Sequence, residues 1–87
     1  MWSVKLSERA VKDKALLKGA GLDATVKQLL GVLMSNPFQS PPSYEKLVGD
    51  LSGFYSRRIN RQHRLVYRVD ESHLTVCVES MWSHDER

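Results

Sequence analysis

Cysteine and long apolar runs are nearly absent from this chain of 87 residues, and both shortages exclude classes of protein. The single cysteine, Cys77, rules out an intramolecular disulfide and a cysteine-rich zinc site, and its apolar neighbours predict a small core residue. No apolar run approaches the roughly 20 residues of a membrane-spanning helix, and the N-terminus lacks the apolar stretch of a signal peptide. We therefore expect a cytoplasmic protein with no membrane segment.

Glycine-rich phosphate loops and clusters of metal ligands are also missing. The five glycines form neither a P-loop nor a dinucleotide-binding fingerprint. The three histidines, His63, His73 and His84, do not have the spacing of paired metal ligands. The sequence therefore predicts a protein without cofactor or metal, in which any catalysis depends on side chains alone.

Acidic residues are absent from residues 51–69, while basic residues are concentrated there. Five arginines and His63 lie within residues 57–68, although the net charge of the whole chain is only +3. Apolar residues alternate with these charges, which is typical of strands and not of a flexible basic tail. Arginines on a rigid sheet can hold a phosphate backbone in a fixed geometry, so this block favours RNA or another polyanion as the ligand.

The length and the ordinary composition, 41% apolar and 26% charged, predict one globular domain over residues 1–87. Alternation predicts a strand over residues 2–7. Ser7 is expected to cap a helix that ends near Lys18. Asp23 is expected to cap a second helix, whose clear apolar stripe ends at residues 36–38. Residues 39–43 are predicted to be a proline-containing loop that leads to Tyr44.

Three further strands are predicted over residues 54–59, 63–69 and 73–81, with short turns between them. The predicted fold class is therefore α+β, with two N-terminal helices packed on one face of a twisted antiparallel sheet in the order β-α-α-β-β-β. In the second of these strands, Leu65 and Tyr67 point to one face and Arg64 and Arg68 to the other. If the helices cover the first face, the two arginines line the open face.

RNA cleavage without a metal needs a base for the 2′-hydroxyl, an acid for the leaving 5′-oxygen and a cation for the charged phosphorane. Glu45, His84 and Arg64 are the candidates for these three roles. Each of these residue types is more often a solvated surface side chain, and spacing alone does not bring the three together. The residues by themselves leave both interpretations open.

The other candidates for RNA contact each have a structural alternative. His63 opens a strand and is interpreted either as a turn residue or as a catalytic one. Tyr55 and Trp82 can stack on RNA bases, or they can fill a sheet face or a dimer contact. Arg57 and Arg58 point in opposite directions, so at most one of them lies on the open face.

Two sequence runs are more specific than this chemistry. The run LSGFYSRRI at residues 51–59 and the run QHRLVYRV at residues 62–69 resemble the YoeB/Txe toxins. These are small toxins of the RelE superfamily that belong to bacterial type II toxin–antitoxin pairs. The proline–phenylalanine step at residues 37–38 is similar to the step that follows the second helix in that family. The resemblance covers nearly the whole chain and is weakest in the first helix.

The resemblance implies a RelE/YoeB-like fold and a ribosome-dependent mRNA endonuclease that acts on the codon in the A site. It also implies a YefM-like antitoxin as a partner besides the ribosome and mRNA, with operator DNA bound only by the toxin–antitoxin complex, and it allows a homodimer. By position, Glu45 matches the catalytic glutamate, Arg64 the phosphate-stabilising arginine and His84 the catalytic histidine. The side chains expected to contact RNA around them are Tyr55, Arg57, Arg58, His63, Arg68 and Trp82.

Asp85 departs from the family pattern, in which a tyrosine follows the catalytic histidine. A carboxylate at this place would repel a bound phosphate. A second function class is therefore a non-catalytic module that binds RNA or the ribosome and blocks translation without cleavage. Residues 39–44 also replace a segment that is rich in glycine and lysine in the family, which predicts a stiffer and less basic loop.

Overall fold

The computed structural model describes residues 1–82, which form two helices and one sheet of five strands. Single 3₁₀ turns lie at Gly49–Leu51 and Glu71–His73. The α+β class with two helices on one sheet, predicted from the sequence, is confirmed. The helices and strands in chain order are β1 Ser3–Leu6, α1 Glu8–Gly19, α2 Asp23–Ser35, β2 Tyr44–Lys46, β3 Tyr55–Arg58, β4 Arg64–Asp70 and β5 Thr75–Ser80.

The two helices begin in different ways. Ser7 caps α1 as predicted, because its Oγ accepts a hydrogen bond from the backbone N–H of Ala10 at 3.0 Å. The predicted cap at Asp23 is wrong, since Leu22 holds the N-cap position of α2 and Asp23 is its first helical residue. The Asp23 carboxylate instead lies 3.3 Å from Lys27 Nζ, and its negative charge suits the first turn of a helix. Neither helix, nor any other in the described residues, is long and apolar enough to span a membrane.

The sheet differs from the predicted one in two respects. Its strand order is β1-β5-β4-β3-β2, and β1 runs parallel to β5 while the other pairs are antiparallel. The prediction of an entirely antiparallel sheet is wrong for this pair, because local alternation carries no information on the direction of strands that are far apart in the chain. Residues 44–46 form an additional edge strand, β2, which was too short to produce a recognisable alternating pattern.

The hydrophobic core lies between the helices and one face of the sheet. On β4, Leu65 and Tyr67 are buried in this core, whereas Arg64 is half-buried and Arg68 exposed. The predicted separation of the two faces of this strand is therefore confirmed, and the arginines lie on the face away from the core. The fully or almost fully buried apolar residues of the core are Ala10, Leu17, Val26, Leu29, Leu33, Ile59, Leu65, Tyr67, Val76, Val78 and Met81.

Candidate active site on the open face of the sheet

Glu45 and Arg64, two of the three predicted catalytic residues, meet on the open face of the sheet. Arg64 Nη2 lies 3.1 Å from Glu45 Oε1, and Arg64 Nε donates a hydrogen bond to Ser56 Oγ at 3.0 Å. The strand register explains this convergence, because Glu45 of β2 lies directly opposite Ser56 of β3. Arg64 begins β4, where it contacts Ser56 on the neighbouring β3 and reaches across β3 to Glu45 of β2. Residues that are 19 positions apart in the chain therefore form one cluster.

The ion pair between Glu45 and Arg64 contributes little to the stability of the fold. The Arg64 side chain is 36% exposed and that of Glu45 is 69% exposed, and an ion pair in such a place contributes only about 0–1 kcal/mol. Ser56, in contrast, is only 1% exposed, so the guanidinium is oriented by a buried hydroxyl. The bonds to Ser56 and Glu45 engage two of the five N–H donors of a guanidinium, which can also bind a phosphate in a bidentate manner.

The hairpin of β2 and β3 fixes the place of Glu45. The backbone N–H of Leu47 donates to the carbonyl of Phe54 at 2.9 Å, which closes the connection between the two strands. Gly49 and Gly53 have φ values of 69° and 96° in this connection, and the left-handed region favours glycine over any residue with a side chain. The two glycines of the run VGDLSG therefore allow the connection between β2 and β3 to close.

Arg57 is fully buried and does not reach the open face. Its guanidinium donates hydrogen bonds to the carbonyl oxygens of Pro42 at 2.6 Å, Gln39 at 2.8 Å and Pro37 at 2.9 Å. Its carbon Cζ also lies 4.9 Å from the centre of the Tyr44 ring, within the range of a cation–π interaction. Backbone carbonyls and an aromatic ring thus hold this charge, and the structure gives Arg57 no surface on which to bind RNA. The sequence left open which of Arg57 and Arg58 contacts RNA, and carbonyls of a distant segment bury Arg57.

Arg57 instead holds the segment that leads into β2. The three carbonyls that it binds belong to residues 37–42, directly before the strand that carries Glu45. Tyr67 supports the same segment, since its hydroxyl donates to the carbonyl of Pro37 at 2.9 Å. Burial raises the pKa of the Tyr67 phenol above its ordinary value, against the opposing effect of the nearby Arg57 charge.

Tyr55 belongs to an aromatic cluster on the core side of the sheet. Its ring centre lies 5.5 Å from that of Phe38, 5.8 Å from that of Tyr44 and 5.7 Å from that of Tyr67. Tyr55 is half-buried in this cluster and lies on the opposite face from Arg64. Of the two interpretations of Tyr55, the filling of a sheet face is the one that the structure supports.

His63 and Trp82 stack on each other beside the start of β4. Their ring centres are 4.0 Å apart, with an angle of 30° between the ring planes. His63 is buried, and its backbone N–H donates to Asn60 Oδ1 at 2.7 Å. Trp82 is half-buried and rests on the residue that directly precedes Arg64.

Arg58 and Arg68 are the exposed arginines of the open face. Arg58 lies directly opposite Arg64 in the β3–β4 pair, so these two cations share one face, and Arg57 does not. Arg68 lies four residues further along β4, opposite Cys77 of β5. That spacing corresponds to about 13 Å along a strand. Arg58 is therefore near the Glu45–Arg64 pair, and Arg68 is remote from it.

His84 and Asp85 lie outside the described residues. Within residues 1–82, no three side chains of His, Cys, Asp or Glu gather closely enough to hold a metal ion.

Sequence reasoning missed Ser56, although its signal was present. A small polar residue two positions from Arg58 points to the same face of β3 and therefore toward the reach of Arg64.

The profile of the YoeB-like toxins of bacterial type II toxin–antitoxin systems matches residues 11–82. Toxin YoeB of Mycobacterium bovis is 41% identical over 51 residues, which are 59% of this chain and 60% of that protein. The matched part thus spans less than two thirds of that relative.

Two solved structures from Staphylococcus aureus are similar to the whole described fold. The heterotetrameric YoeB–YefM toxin–antitoxin complex contains a chain that is 30% identical, with a TM-score of 0.81 over 98% of this chain and 99% of that one. The YoeB dimer contains a chain that is 31% identical, with a TM-score of 0.78 over 97% of this chain and 98% of that one.

Proposed function

Since this chain belongs to the family of YoeB-like toxins of bacterial type II toxin–antitoxin systems, we propose that it is a ribosome-dependent endonuclease that cleaves mRNA at the codon in the A site. The observation that carries this proposal is the cluster of Glu45, Ser56 and Arg64 on the open face. It combines a carboxylate that can accept a proton with an oriented cation that can bind a phosphate. Both side chains are accessible from solvent.

Cleavage would proceed by attack of the 2′-oxygen on the adjacent phosphorus. Glu45 removes the proton of the 2′-hydroxyl, and Arg64 stabilises the negative charge that develops on the phosphorane. His84 donates a proton to the leaving 5′-oxygen, a role that rests on the sequence resemblance. The products are a 2′,3′-cyclic phosphate and a 5′-hydroxyl. The absence of a metal from this reaction stays a prediction.

Binding of RNA would rearrange the Glu45–Arg64 ion pair. A phosphate bound by the donors that Ser56 and Glu45 leave free would repel the Glu45 carboxylate, which then turns to contact the 2′-hydroxyl. Glu45 can make this change because its side chain is largely exposed on an edge strand, while Ser56 keeps the guanidinium in place. Arg58 supplies a second cation next to the scissile phosphate. Arg68 would contact RNA further along the sheet.

The partners follow from the family and its solved relatives. We propose that a YefM-like antitoxin binds and inhibits this protein in the cytoplasm, and that a homodimer forms as in the S. aureus relative described as a YoeB dimer. Operator DNA would be bound by the toxin–antitoxin complex only.

A non-catalytic ribosome-binding module is the second candidate function, and Asp85 is the residue that favours it. The carboxylate replaces the family's tyrosine directly after His84, where a negative charge opposes phosphate binding. Replacement Asp85→Tyr distinguishes the two functions. A gain of cleavage in this variant would mean that the natural protein blocks translation with attenuated chemistry.

Primer extension on an mRNA translated in a purified system tests the proposed function. We expect cuts at A-site codons with the wild-type protein and none without ribosomes or with Glu45→Ala. Glu71→Ala is the matched control, because Glu71 is an exposed glutamate in the turn between β4 and β5. Intact mRNA together with blocked translation would reject the endonuclease and support the binding module.

A further inference from the structure

Asp13 is a buried carboxylate for which the proposed reaction has no role. It lies in α1 among several lysines, yet it is only 4% exposed. Aspartate is almost never buried to this degree unless its charge is paired or bound by hydrogen-bond donors. The buried Asp13 carboxylate is therefore expected to accept hydrogen bonds from neighbouring groups.

The Asp13 carboxylate binds the backbone that follows β5. Its Oδ2 accepts a hydrogen bond from the N–H of Met81 at 2.9 Å and a second from the N–H of Trp82 at 3.3 Å. β5 ends at Ser80, so these two N–H groups lie beyond the pairing with β4. Arg9 is a weaker partner, with Nε at 3.8 Å and a side chain that is 55% exposed. Asp13 thus acts as an acceptor for backbone groups at the end of the sheet.

The hydrogen bonds from the Met81 and Trp82 N–H groups to Asp13, here called the anchor, are linked to the candidate active site through His63. Trp82, whose N–H is bound by Asp13, stacks on the ring of His63 at 4.0 Å. His63 directly precedes Arg64 at the start of β4. These contacts, together with the peptide bond between His63 and Arg64, therefore connect α1, through the end of β5, to the residue that contacts Glu45. The same anchor also fixes the point from which the chain continues toward His84.

We propose that Asp13 is a positioning residue of the active site, which holds the Met81–Trp82 backbone and thereby keeps Trp82 stacked on His63 beside Arg64. The charge matters because hydrogen bonds from N–H groups to a carboxylate are about twice as strong as those to a neutral acceptor. For catalysis the inference rests on the proposed endonuclease function. The anchor itself stands on the two backbone contacts.

Hydrogen exchange of individual backbone amides tests the anchor directly. In Asp13→Ala, we expect the amides of Met81 and Trp82 to exchange at least about 100-fold faster than in the wild type, because local opening no longer breaks two charge-assisted bonds. The amides of Val76 and Val78 within β5 should keep their protection. Arg9→Ala is the matched control and should leave all four amides unchanged, since it removes the ion pair without removing the acceptor.

Two exchange results would overturn the anchor. The first is unchanged exchange of Met81 and Trp82 in Asp13→Ala, and the second is an equal loss of protection throughout β5. If Asp13→Ala does not fold, Asp13→Asn replaces it. The amide oxygen of asparagine still accepts hydrogen bonds but without the charge, so we expect a smaller acceleration that is confined to the same two amides.

Cleavage kinetics on programmed ribosomes test the positioning role. We expect Asp13→Ala and Asp13→Asn to lower kcat while the ribosome concentration at half-maximal rate stays unchanged, because the anchor orients the site without contacting RNA. If Asp13→Ala releases the two amides and still cleaves at the wild-type rate, the positioning role is rejected. If the wild-type protein cleaves no mRNA, the proposed function fails, and the exchange experiment still decides the anchor.

Discussion

Arg64 is the residue on which the candidate site depends, because its guanidinium contacts both Glu45 and the buried hydroxyl of Ser56. We predict that Arg64→Ala lowers mRNA cleavage by about 100-fold or more, since it removes the cation that stabilises the phosphorane. The free energy of unfolding should fall by only about 1–2 kcal/mol, because the ion pair with Glu45 is exposed and one hydrogen bond to Ser56 is lost. Arg61→Ala, in the exposed turn before β4, is the control for a general loss of positive charge. Full toxicity of a folded Arg64→Ala protein would contradict the assignment.

Ser56 acts through Arg64, so its replacement has a different expected result. In Ser56→Ala, the guanidinium keeps its charge but loses the hydroxyl that accepts from Nε at 3.0 Å. We predict a decrease of about tenfold in kcat because a misoriented group loses part of its effect. The stability should fall by about 1 kcal/mol for the lost hydrogen bond. Single-turnover cleavage and urea unfolding measure the two effects, and Ser52→Ala in the exposed connection before β3 serves as control. An unchanged kcat would mean that Ser56 does not orient Arg64.

At the scale of elements, β2 is a three-residue edge strand whose position depends on Arg57. Replacement Arg57→Met should destabilise the protein by about 2–4 kcal/mol, because carbonyls of residues 37–42 lose their donor. Limited proteolysis should then cut first within residues 37–46. Arg58→Met removes an exposed arginine of the same strand and should leave both the stability and the proteolysis pattern unchanged. Equal behaviour of the two variants would reject the structural role of Arg57.

Sequence patterns predicted the elements whose signals are local. Ser7 carries its capping signal beside the helix it starts, and the alternation of residues 64–68 assigned Arg64 and Leu65 to opposite faces. The burial of Arg57 and Asp13 was not predictable in this way. Each charge is held by backbone groups from a distant segment, so its burial depends on the tertiary fold and not on neighbouring residues.

At the scale of the whole molecule, the raised pKa of Tyr67 links stability to alkaline pH. A phenol whose pKa is higher in the folded than in the unfolded state stabilises the fold below its unfolded pKa, and this contribution is lost as the pH rises through the folded pKa. We predict that the wild type loses stability from about pH 10 upward more steeply than Tyr67→Phe. Near neutral pH the variant should be less stable by about 1 kcal/mol, because Arg57 still binds the Pro37 carbonyl that Tyr67 releases. Urea unfolding at a series of pH values measures both effects, and parallel curves would contradict the prediction.

The chemistry of the site was predictable from the sequence only in part. The resemblance to the YoeB/Txe toxins named Glu45 and Arg64, and the register of three strands brings them to 3.1 Å from each other. Spacing could not predict this distance, because it depends on β2, an element without a recognisable pattern. Arg58 and not Arg57 shares the face with Arg64, which alternation alone left open between the two.

The joint action of Glu45 and Arg64 is tested most directly by a double-mutant cycle on single-turnover cleavage of ribosome-bound mRNA. We predict that Glu45→Gln and Arg64→Ala each slow cleavage by about 100-fold or more, and that the double variant is little slower than the slower single variant, since residues that act as a unit are not additive. The wild-type fragments should carry a 2′,3′-cyclic phosphate and a 5′-hydroxyl. Cleavage at the wild-type rate by either folded single variant, or mRNA left intact by the wild type, would contradict the account.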